Sequence, residues 1–214
     1  MDATVSVTAV ETVGPNTYAI RFDTPTGFAA EPGQFVRLGT EIDGESVSRF
    51  YTLSSPTVDE TVEVTVAIDP EDGGDFSQFL ADIEPGTRLS FAGPYGDQHY
   101  DGESRAVVLA GGPGVGPAVA IAERAVADGG EAAIVYRDGA PAHEARLSAL
   151  REAGVDVVIL SADDPLDSPV AAAVSGGDDE GVFVYGFADF VEDATTAIER
   201  GGGDPDAAKV ENFG

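Results

Sequence analysis

The sequence predicts two domains, an antiparallel β-barrel over residues 1–102 followed by an α/β domain with a parallel sheet over residues 103–214. Two observations indicate this order. The first half contains short segments rich in β-branched and aromatic residues, separated by turn residues, at the regular spacing typical of antiparallel barrels. The second half alternates apolar strands with Ala-rich helical segments, which favours right-handed crossovers and a parallel sheet.

Six strands and one short helix are predicted in the barrel. The turn residues Gly14-Pro15-Asn16 separate the first two strands, and the apolar spacing of residues 76–83 suits a single short helix. The predicted strands are 4–10, 17–22, 34–39, 46–53, 61–68 and 88–92.

The second domain is predicted to begin after the polar stretch 97–104. Its strands are predicted at 105–110, 132–136, 155–160 and 181–185, and its helices at 117–128, 142–153, 168–174 and 190–200. Apolar strands that alternate with helical periodicity in this way are the signature of βαβ units.

Charge narrows the range of partners. The chain has 39 acidic and 11 basic residues and a formal net charge of −28, which disfavours nucleic acid and anionic membranes as partners. Because the acids are spread along the whole chain, we interpret the excess as adaptation to concentrated salt, where screening suppresses self-repulsion. The first residues lack the basic and apolar regions of a secretory signal, so we expect a cytoplasmic protein.

Cysteine is absent, which excludes disulfides and Cys-ligated iron–sulfur clusters in this chain. The two histidines, His99 and His143, are far apart in the sequence and lie among polar residues. A zinc or iron site needs more ligands at closer spacing, so we expect no metal and two solvated surface histidines.

One segment at the end of the fourth predicted strand suits a phosphorylated, planar ligand. It reads Arg49-Phe50-Tyr51-Thr52-Leu53-Ser54-Ser55. Arg49 can pair with a phosphate, Tyr51 can lie against a ring system, and Thr52 can offer its backbone and hydroxyl to ring nitrogens. An ordinary amphipathic strand end would look similar.

Two glycine-rich segments open predicted helices. The first, Gly73-Gly74-Asp75-Phe76-Ser77, can bind phosphate through free backbone N–H groups, although a turn with a capping Asp or Ser would read the same way. The second follows a buried strand and consists of Gly111, Gly112, Pro113, Gly114, Val115, Gly116 and Pro117. Its glycines permit a tight turn and close backbone approach, and Pro117 suits a first helical turn; a plain strand–helix turn is the alternative.

Taken in order, these motifs resemble those of the ferredoxin–NADP reductase family of flavoproteins. Residues 32–36 (Pro-Gly-Gln-Phe-Val), the Arg-x-Tyr-Thr-x-x-Ser pattern at 49–55, the Gly-x-x-Ser pattern at 74–77, residues 93–96 (Gly-Pro-Tyr-Gly) and the Gly-Gly-x-Gly-x-x-Pro pattern at 111–117 are similar to family motifs. The resemblance implies that the barrel binds FAD and that the second glycine-rich loop receives the pyrophosphate of NADH or NADPH.

Residue roles follow from the resemblance. Arg49 would hold the FAD pyrophosphate, Tyr51 would pack on the flavin, Thr52 would contact its reactive N5 edge, and Ser77 would complete phosphate binding. The candidate cofactor-binding set also contains Phe50, Ser54, Ser55, Val66, Ile68, Gly74, Asp75, Phe76, Arg137, Asp163 and Gly186.

Three residues toward the C-terminus, Tyr185, Glu211 and Phe213, join Thr52 in the candidate catalytic set. Where the family's late strand ends Cys-Gly-Pro, this chain reads Tyr185-Gly186-Phe187, so a bulky phenol replaces the thiol beside the nicotinamide. The Glu211-Asn-Phe213-Gly ending is similar to the family's Glu-x-Phe ending. By that resemblance Phe213 would cover the flavin and Glu211 would lie near the nicotinamide; a frayed acidic tail is the alternative.

The turn after the third strand of the second domain carries two acids, Asp163 and Asp164. The family resemblance implies that the 2′-phosphate of NADPH would lie at this turn, where carboxylates would repel it and accept hydrogen bonds from ribose hydroxyls, which favours NADH. Arg137, just past the second strand, could instead reach a phosphate.

The resemblance implies an oxidoreductase that passes hydride from NAD(P)H to FAD and then electrons to an acceptor. Ferredoxin, an oxygenase component or a free small molecule are the candidate acceptors. Two alternatives stay open: a flavin-binding electron-transfer subunit of a larger complex without its own NADH activity, and a methyltransferase that uses the glycine-rich loop, which would leave the barrel motifs unexplained.

Overall fold

The structure is a computed structural model that describes residues 1–69 and 74–214. Two sheets organise these residues, a six-stranded antiparallel sheet in the first half and a five-stranded parallel sheet in the second. The predicted fold class is therefore confirmed. The boundary at residue 102 stays a prediction; it falls in the segment that joins the two sheets.

The antiparallel sheet curls into a barrel. Its strands are β1 (Asp2–Gly14), β2 (Thr17–Asp23), β3 (Phe35–Ile42), β4 (Glu45–Thr52), β5 (Thr61–Ala67) and β6 (Arg88–Tyr95). They are ordered β4-β3-β6-β1-β2-β5, and a bridge between Leu53 and Val64 joins the two ends. The short helix α1 (Asp75–Ala81) inserts Phe76 and Leu80 into the barrel core. Gly73, which opens the first glycine-rich segment, lies outside the described residues.

The parallel sheet consists of β7 (Arg105–Gly111), β8 (Glu131–Arg137), β9 (Asp156–Leu160), β10 (Glu180–Gly186) and β11 (Lys209–Asn212). Helices α2 (Val115–Ala127) and α3 (Glu144–Glu152) pack on one face, and α4 (Asp167–Ala173) and α5 (Ala188–Arg200) pack on the other. The strand β11 was not predicted, because four residues of mixed polarity carry no clear strand pattern.

The strand order of this sheet, β11-β10-β7-β8-β9, reverses direction at β7. The chain adds β8 and β9 on one side of β7 and then returns to add β10 and β11 on the other. Ligands bind at the carboxyl ends of the strands that flank such a reversal. The glycine-rich loop 111–117 lies there, directly after β7.

Polar contacts join the two sheets. Arg146 of α3 donates to Glu63 Oε1 and to the Ser54 carbonyl, each at 2.9 Å. His143, immediately before α3, is only 3% exposed, so its expected place on the surface is wrong. The charged residues Glu144 and Arg146 follow it in sequence, but the amino end of α3 packs against the barrel, and the sequence does not reveal that contact. Within residues 1–69 and 74–214, no helix has both the length and the apolar character needed to cross a membrane.

Candidate functional site

A cavity of about 640 Å³ lies between the barrel and the carboxyl edge of the parallel sheet. Its volume is in the range of sites that take cofactors and other organic ligands. The barrel domain lines it with Phe35, Arg49, Phe50, Tyr51, Thr52, Thr65, Val66, Ala67 and Ser77. The second domain lines it with Pro113, Pro117, Phe187, Glu211, Asn212, Phe213 and Gly214. Residues from both groups of predicted motifs therefore share one space.

The end of β4 supplies the cationic and aromatic side of the cavity. The guanidinium of Arg49 is exposed, donates to the Ser48 carbonyl at 2.8 Å, and forms no ion pair within the described part of the chain. Tyr51 packs against Phe76 with ring centroids 6.2 Å apart. Burial raises the pKa of the Tyr51 phenol and outweighs the opposing charge of Arg49, so the hydroxyl stays protonated and can donate.

The two serines of the 49–55 segment form hydrogen bonds and lie outside the cavity lining. The Ser54 hydroxyl is 2.7 Å from the Thr65 hydroxyl, and the Ser55 hydroxyl accepts the Glu63 N–H at 2.6 Å. Both serines are buried and neither lines the cavity. Their hydroxyls join β4 to β5 in this structure.

The other barrel candidates divide between cavity, core and surface. Thr52, Val66 and Ser77 line the cavity, whereas Ile68 and Phe76 are buried in the barrel core. Gly74 and Asp75 are exposed at the start of α1.

The glycine-rich loop after β7 packs tightly on its neighbours. A Cβ at Gly114 would overlap the Tyr185 carbonyl oxygen, and a Cβ at Gly116 would lie 2.5 Å from the hydroxyls of both Ser54 and Thr65. Only glycine permits these approaches. The remaining glycines also have defined places: Gly111 and Gly186 pack against the Phe190 ring, and Gly112 has a positive φ of 55°. Val115 is buried and Pro117 reaches the cavity.

Tyr185 does not line the cavity. Its side chain is fully buried, and its hydroxyl donates to the Gln98 carbonyl at 2.6 Å, in the segment between the two sheets. Burial raises the pKa of this phenol, and the charges of Glu211 and Glu103 act in the same direction. The Tyr185 phenol, which stands where the similar family has a thiol, therefore points toward the segment between the two sheets and not into the cavity.

The unpredicted strand β11 brings Glu211 and Phe213 to the cavity. It pairs in parallel with β10, and the Phe213 N–H donates to the Gly186 carbonyl at 3.0 Å. The Phe213 ring meets the Phe187 ring edge to face, with centroids 6.0 Å apart. Burial raises the pKa of the Glu211 carboxyl. The ordered strand replaces the alternative of a frayed tail.

Arg137 and Asp163 lie at the same edge of the sheet but outside the cavity lining. Arg137 donates to Asp193 at 2.7 Å, and its guanidinium carbon lies 5.3 Å from the centre of the Phe190 ring. Asp163 is exposed in the turn after β9, where Asp164 accepts the Ser161 N–H at 2.8 Å.

Sequence reasoning missed several lining residues. Thr65 lies one residue before Val66 and was recognisable only as part of a predicted strand. Phe35 lies in the Pro-Gly-Gln-Phe-Val segment and Phe187 follows Gly186, so both stood inside recognised motifs without an assigned role. The signal available in the sequence was an aromatic residue directly after Gly186; the structure shows that this side chain is 53% exposed.

Known proteins resemble this chain both in sequence and in fold. Residues 4–100 match the family model described as the oxidoreductase FAD-binding domain. Over 112 residues, or 50% of this chain and 30% of the relative, the chain is 39% identical to the glycine betaine monooxygenase reductase subunit of Chromohalobacter salexigens. The chain therefore matches less than a third of that relative's length.

Two solved structures share the whole fold. A ferredoxin NADP⁺ reductase from Neisseria gonorrhoeae with bound FAD and NADP has a TM-score of 0.82 at 17% identity, with 100% of this chain and 99% of that chain covered. An Amycolatopsis cytochrome P450 reductase has a TM-score of 0.82 at 24% identity, with 100% of this chain and 70% of that chain covered. At these identities the likeness concerns the fold.

Proposed function

We propose that this chain, whose residues 4–100 match the oxidoreductase FAD-binding domain, is an FAD-dependent NAD(P)H oxidoreductase of the ferredoxin–NADP reductase-like family and passes electrons to a separate acceptor. One observation carries the proposal: a single cavity is lined both by the flavin motif at the end of β4 and by the glycine-rich loop and β11 of the second domain. A donor and an acceptor bound at these two walls would meet within that space.

The barrel wall suits FAD. Arg49, free of an acidic partner among the described residues, would pair with the pyrophosphate, and the protonated Tyr51 phenol would donate to the ribityl or ring edge. Thr52 and Val66 would line the flavin, and Ser77 would donate to a phosphate oxygen. Bound FAD would supply the redox chemistry, accepting two electrons together and releasing them singly or as a pair.

The second-domain wall suits a pyridine nucleotide. The loop 111–117 lies at the carboxyl end of β7, where the sheet order reverses, and presents Pro113 and Pro117 to the cavity. Glu211 would lie beside the nicotinamide, and the Phe213 and Phe187 rings would exclude water from the flavin face. Tyr185 would act through the domain contact, since its hydroxyl is bonded to the Gln98 carbonyl.

We also propose that NADH is preferred over NADPH. Arg137, the cation that could reach a 2′-phosphate, is held by Asp193 and by the Phe190 ring. Asp163 and Asp164 lie in the turn at the same edge, where they would repel a phosphate and accept hydrogen bonds from ribose hydroxyls.

The preference is tested by kcat/KM for both nucleotides with an artificial acceptor. Asp163→Ser/Asp164→Arg should shift the ratio toward NADPH, whereas Asp59→Ser/Glu60→Arg, an exposed acidic pair of the barrel domain, should not. A wild type that prefers NADPH, or two double variants with the same ratio, would show that this turn does not set the choice.

The acceptor is proposed to be a redox protein such as a ferredoxin or an oxygenase component. The chain has no cysteine, so a Cys-ligated one-electron centre must lie elsewhere. The relative from Chromohalobacter is named as a reductase subunit of a monooxygenase, which supports a partner of this kind.

The proposed function is tested by anaerobic titration of the FAD-loaded protein with NADH and NADPH. We expect the visible flavin absorption to bleach with one equivalent of nucleotide and to recover when an artificial acceptor is added. Retained flavin that neither nucleotide bleaches would instead identify a flavin-binding subunit without its own NADH activity. A protein that binds no FAD would contradict the proposal altogether.

A further inference from the structure

A buried chain of three polar side chains connects the two domains behind the cavity. The Ser54 hydroxyl lies 2.7 Å from the Thr65 hydroxyl, which lies 2.8 Å from His143 Nε2. The exposed fractions of the three residues are 0%, 7% and 3%. Ser54 and Thr65 both belong to the barrel, so the contact between the Thr65 hydroxyl and His143 is the one that a movement of either domain would break.

The backbone of His143 is tied to the barrel as well. Its N–H donates to the Val13 carbonyl at 2.8 Å, while its own carbonyl accepts the Leu147 N–H at the start of α3. His143 has a positive φ of 54°, which is uncommon for a residue other than glycine. This conformation turns the imidazole away from its own helix and toward β5.

The same chain of side chains supports the glycine-rich loop. A Cβ at Gly116 would lie 2.5 Å from the hydroxyls of Ser54 and Thr65, so the first turn of α2 rests directly on them. Pro117, the next residue, lines the cavity, and so does Thr65 on the barrel side. These contacts therefore connect the barrel wall of the cavity to its second-domain wall.

The imidazole remains neutral in this environment. Burial lowers the pKa of His143 to about 3, and the positive charges of Arg146 and Arg21 act in the same direction. A neutral imidazole can hold the Thr65 hydroxyl at physiological pH without adding charge behind the cavity.

We propose that His143 is a positioning residue that, through Thr65 and Ser54, holds the nucleotide-binding loop at a fixed distance and angle from the flavin wall. This inference rests on the proposed function. Its consequence is specific: loss of the contact should slow hydride transfer between bound cofactors and leave the binding of each cofactor nearly unchanged, because a misplacement of about 1 Å can cost about 100-fold in rate.

The first test uses stopped-flow reduction of the FAD-loaded protein by NADH. His143→Asn keeps a residue that tolerates positive φ but is too short to reach Thr65. Thr65→Val removes the hydroxyl at similar volume, and Thr65→Ser retains it. We expect the limiting rate of flavin bleaching to fall about tenfold or more in the first two variants and to remain near wild type in the third. His99→Asn is the control for the loss of an imidazole.

The variants should lower the rate of flavin bleaching without weakening the binding of either cofactor. The dissociation constants of NADH and FAD should stay within about threefold of wild type, and the double variant His143→Asn/Thr65→Val should be no slower than the slower single variant, since both break one connection. Unchanged limiting rates in both single variants, or losses that follow only FAD content or melting temperature, would overturn the inference.

A second measurement does not depend on turnover. Amide hydrogen exchange of the FAD-loaded His143→Asn variant should accelerate both in residues 114–119 of the loop and in residues 64–67 of β5, while the distant strand β1 near Val5 stays unchanged. If neither nucleotide bleaches wild-type flavin, the proposed function fails, and amide hydrogen exchange alone then tests the positioning role of His143. Acceleration at both segments supports the positioning role; no change, or change confined to residues 140–147, overturns it.

Discussion

Arg49 is one of four basic residues without an ion pair among the described residues, together with Arg37, Arg88 and Arg151. It is also the cationic side chain of the cavity lining. In a chain where acids outnumber bases by more than three to one, an exposed cation that pairs with no carboxylate in the described part of the structure favours a role in binding an anion.

Arg49→Ala should weaken FAD binding, because a charge-assisted contact to phosphate contributes about 1.5–3 kcal/mol, or roughly 10- to 150-fold in the dissociation constant. The measurement is quenching of flavin fluorescence on titration of the apoprotein. Arg88→Ala, also exposed and unpaired in the described structure but outside the cavity lining, is the control. Equal FAD affinity in both variants and wild type would contradict the assignment.

Glu211 gives a pH-dependent prediction. Its pKa is raised by burial, so the folded state holds a proton that the unfolded state has already released once the pH exceeds the ordinary carboxyl value. The stabilising effect of that proton is present at low pH and is lost as the pH rises. Glu211→Gln should therefore raise the melting temperature at pH 7, with a smaller difference near pH 4.

The control for this prediction is Glu45→Gln, at an exposed position at the start of β4. Its effect on the melting temperature should be small at both pH values. A Glu211→Gln variant with the same difference from wild type at pH 4 and pH 7 would show that burial of this carboxylate does not penalise the folded state.

Among the elements, strands and helices with long periodic patterns were predictable, and the connections between domains were not. The alternation of residue types in β2 and the repeated strand–helix pattern after residue 105 can be recognised in the local sequence. By contrast, β11 is four residues long, and it pairs with β10, from which the helix α5 separates it in sequence. The burial of His143 and the turn of Tyr185 toward Gln98 likewise depend on packing between distant segments.

The glycine-rich loop was predicted from its composition, but its contacts were not. Gly114 approaches the Tyr185 backbone so closely that a Cβ would overlap the carbonyl oxygen. Gly114→Ala should destabilise the protein by about 1–3 kcal/mol, the usual cost of overpacking where backbone cannot shift freely. Urea unfolding measures this cost.

Gly139→Ala is the matched control, because a Cβ there would lie 3.6 Å from Ala162 Cβ, an ordinary contact. Its free energy of unfolding should stay within about 0.5 kcal/mol of wild type. Equal stability of the two variants would mean that the loop can shift away from β10.

The start of α3 gives a second pH prediction. His143 has a folded-state pKa of about 3, below its ordinary value, so the unfolded state gains a proton first as the pH falls. Stability present above about pH 6.5 is then lost by up to roughly 1.4 kcal/mol per pH unit toward pH 3. His143→Asn should reduce the slope of stability against pH in this window, as measured by urea unfolding at several pH values. An unchanged slope would show that His143 is not the group responsible.

At the scale of the whole molecule, the charged residues have two effects: local ion pairs between acids and bases, and an overall excess of acids over bases. Within residues 1–69 and 74–214, ion pairs involve seven of the 11 basic residues, and Arg146 joins Glu63 of the barrel to Glu123 of α2. The 39 acidic residues exceed the 11 basic ones by 28, and the resulting formal charge of −28 is spread over both domains.

The two effects respond oppositely to salt. Screening weakens the exposed ion pairs, each worth at most about 1 kcal/mol, and it also weakens repulsion among the excess carboxylates. Because the carboxylates are far more numerous than the pairs, relief of repulsion should dominate. The cavity proposed to bind FAD lies between the domains, so weaker repulsion should also favour the packing of the two domains that forms it.

We therefore expect the melting temperature and the FAD content to rise between 0.1 M and 2 M KCl, as the screening length falls from about 10 Å to less than about 3 Å. Sucrose at a concentration with equal effect on a neutral reference protein is the control, because it favours compact states by exclusion from the surface without screening charge. If KCl stabilises this protein no more than sucrose does, self-repulsion is not what limits its stability at low salt. If KCl has no effect, the interpretation of the acidic surface as a salt adaptation is wrong.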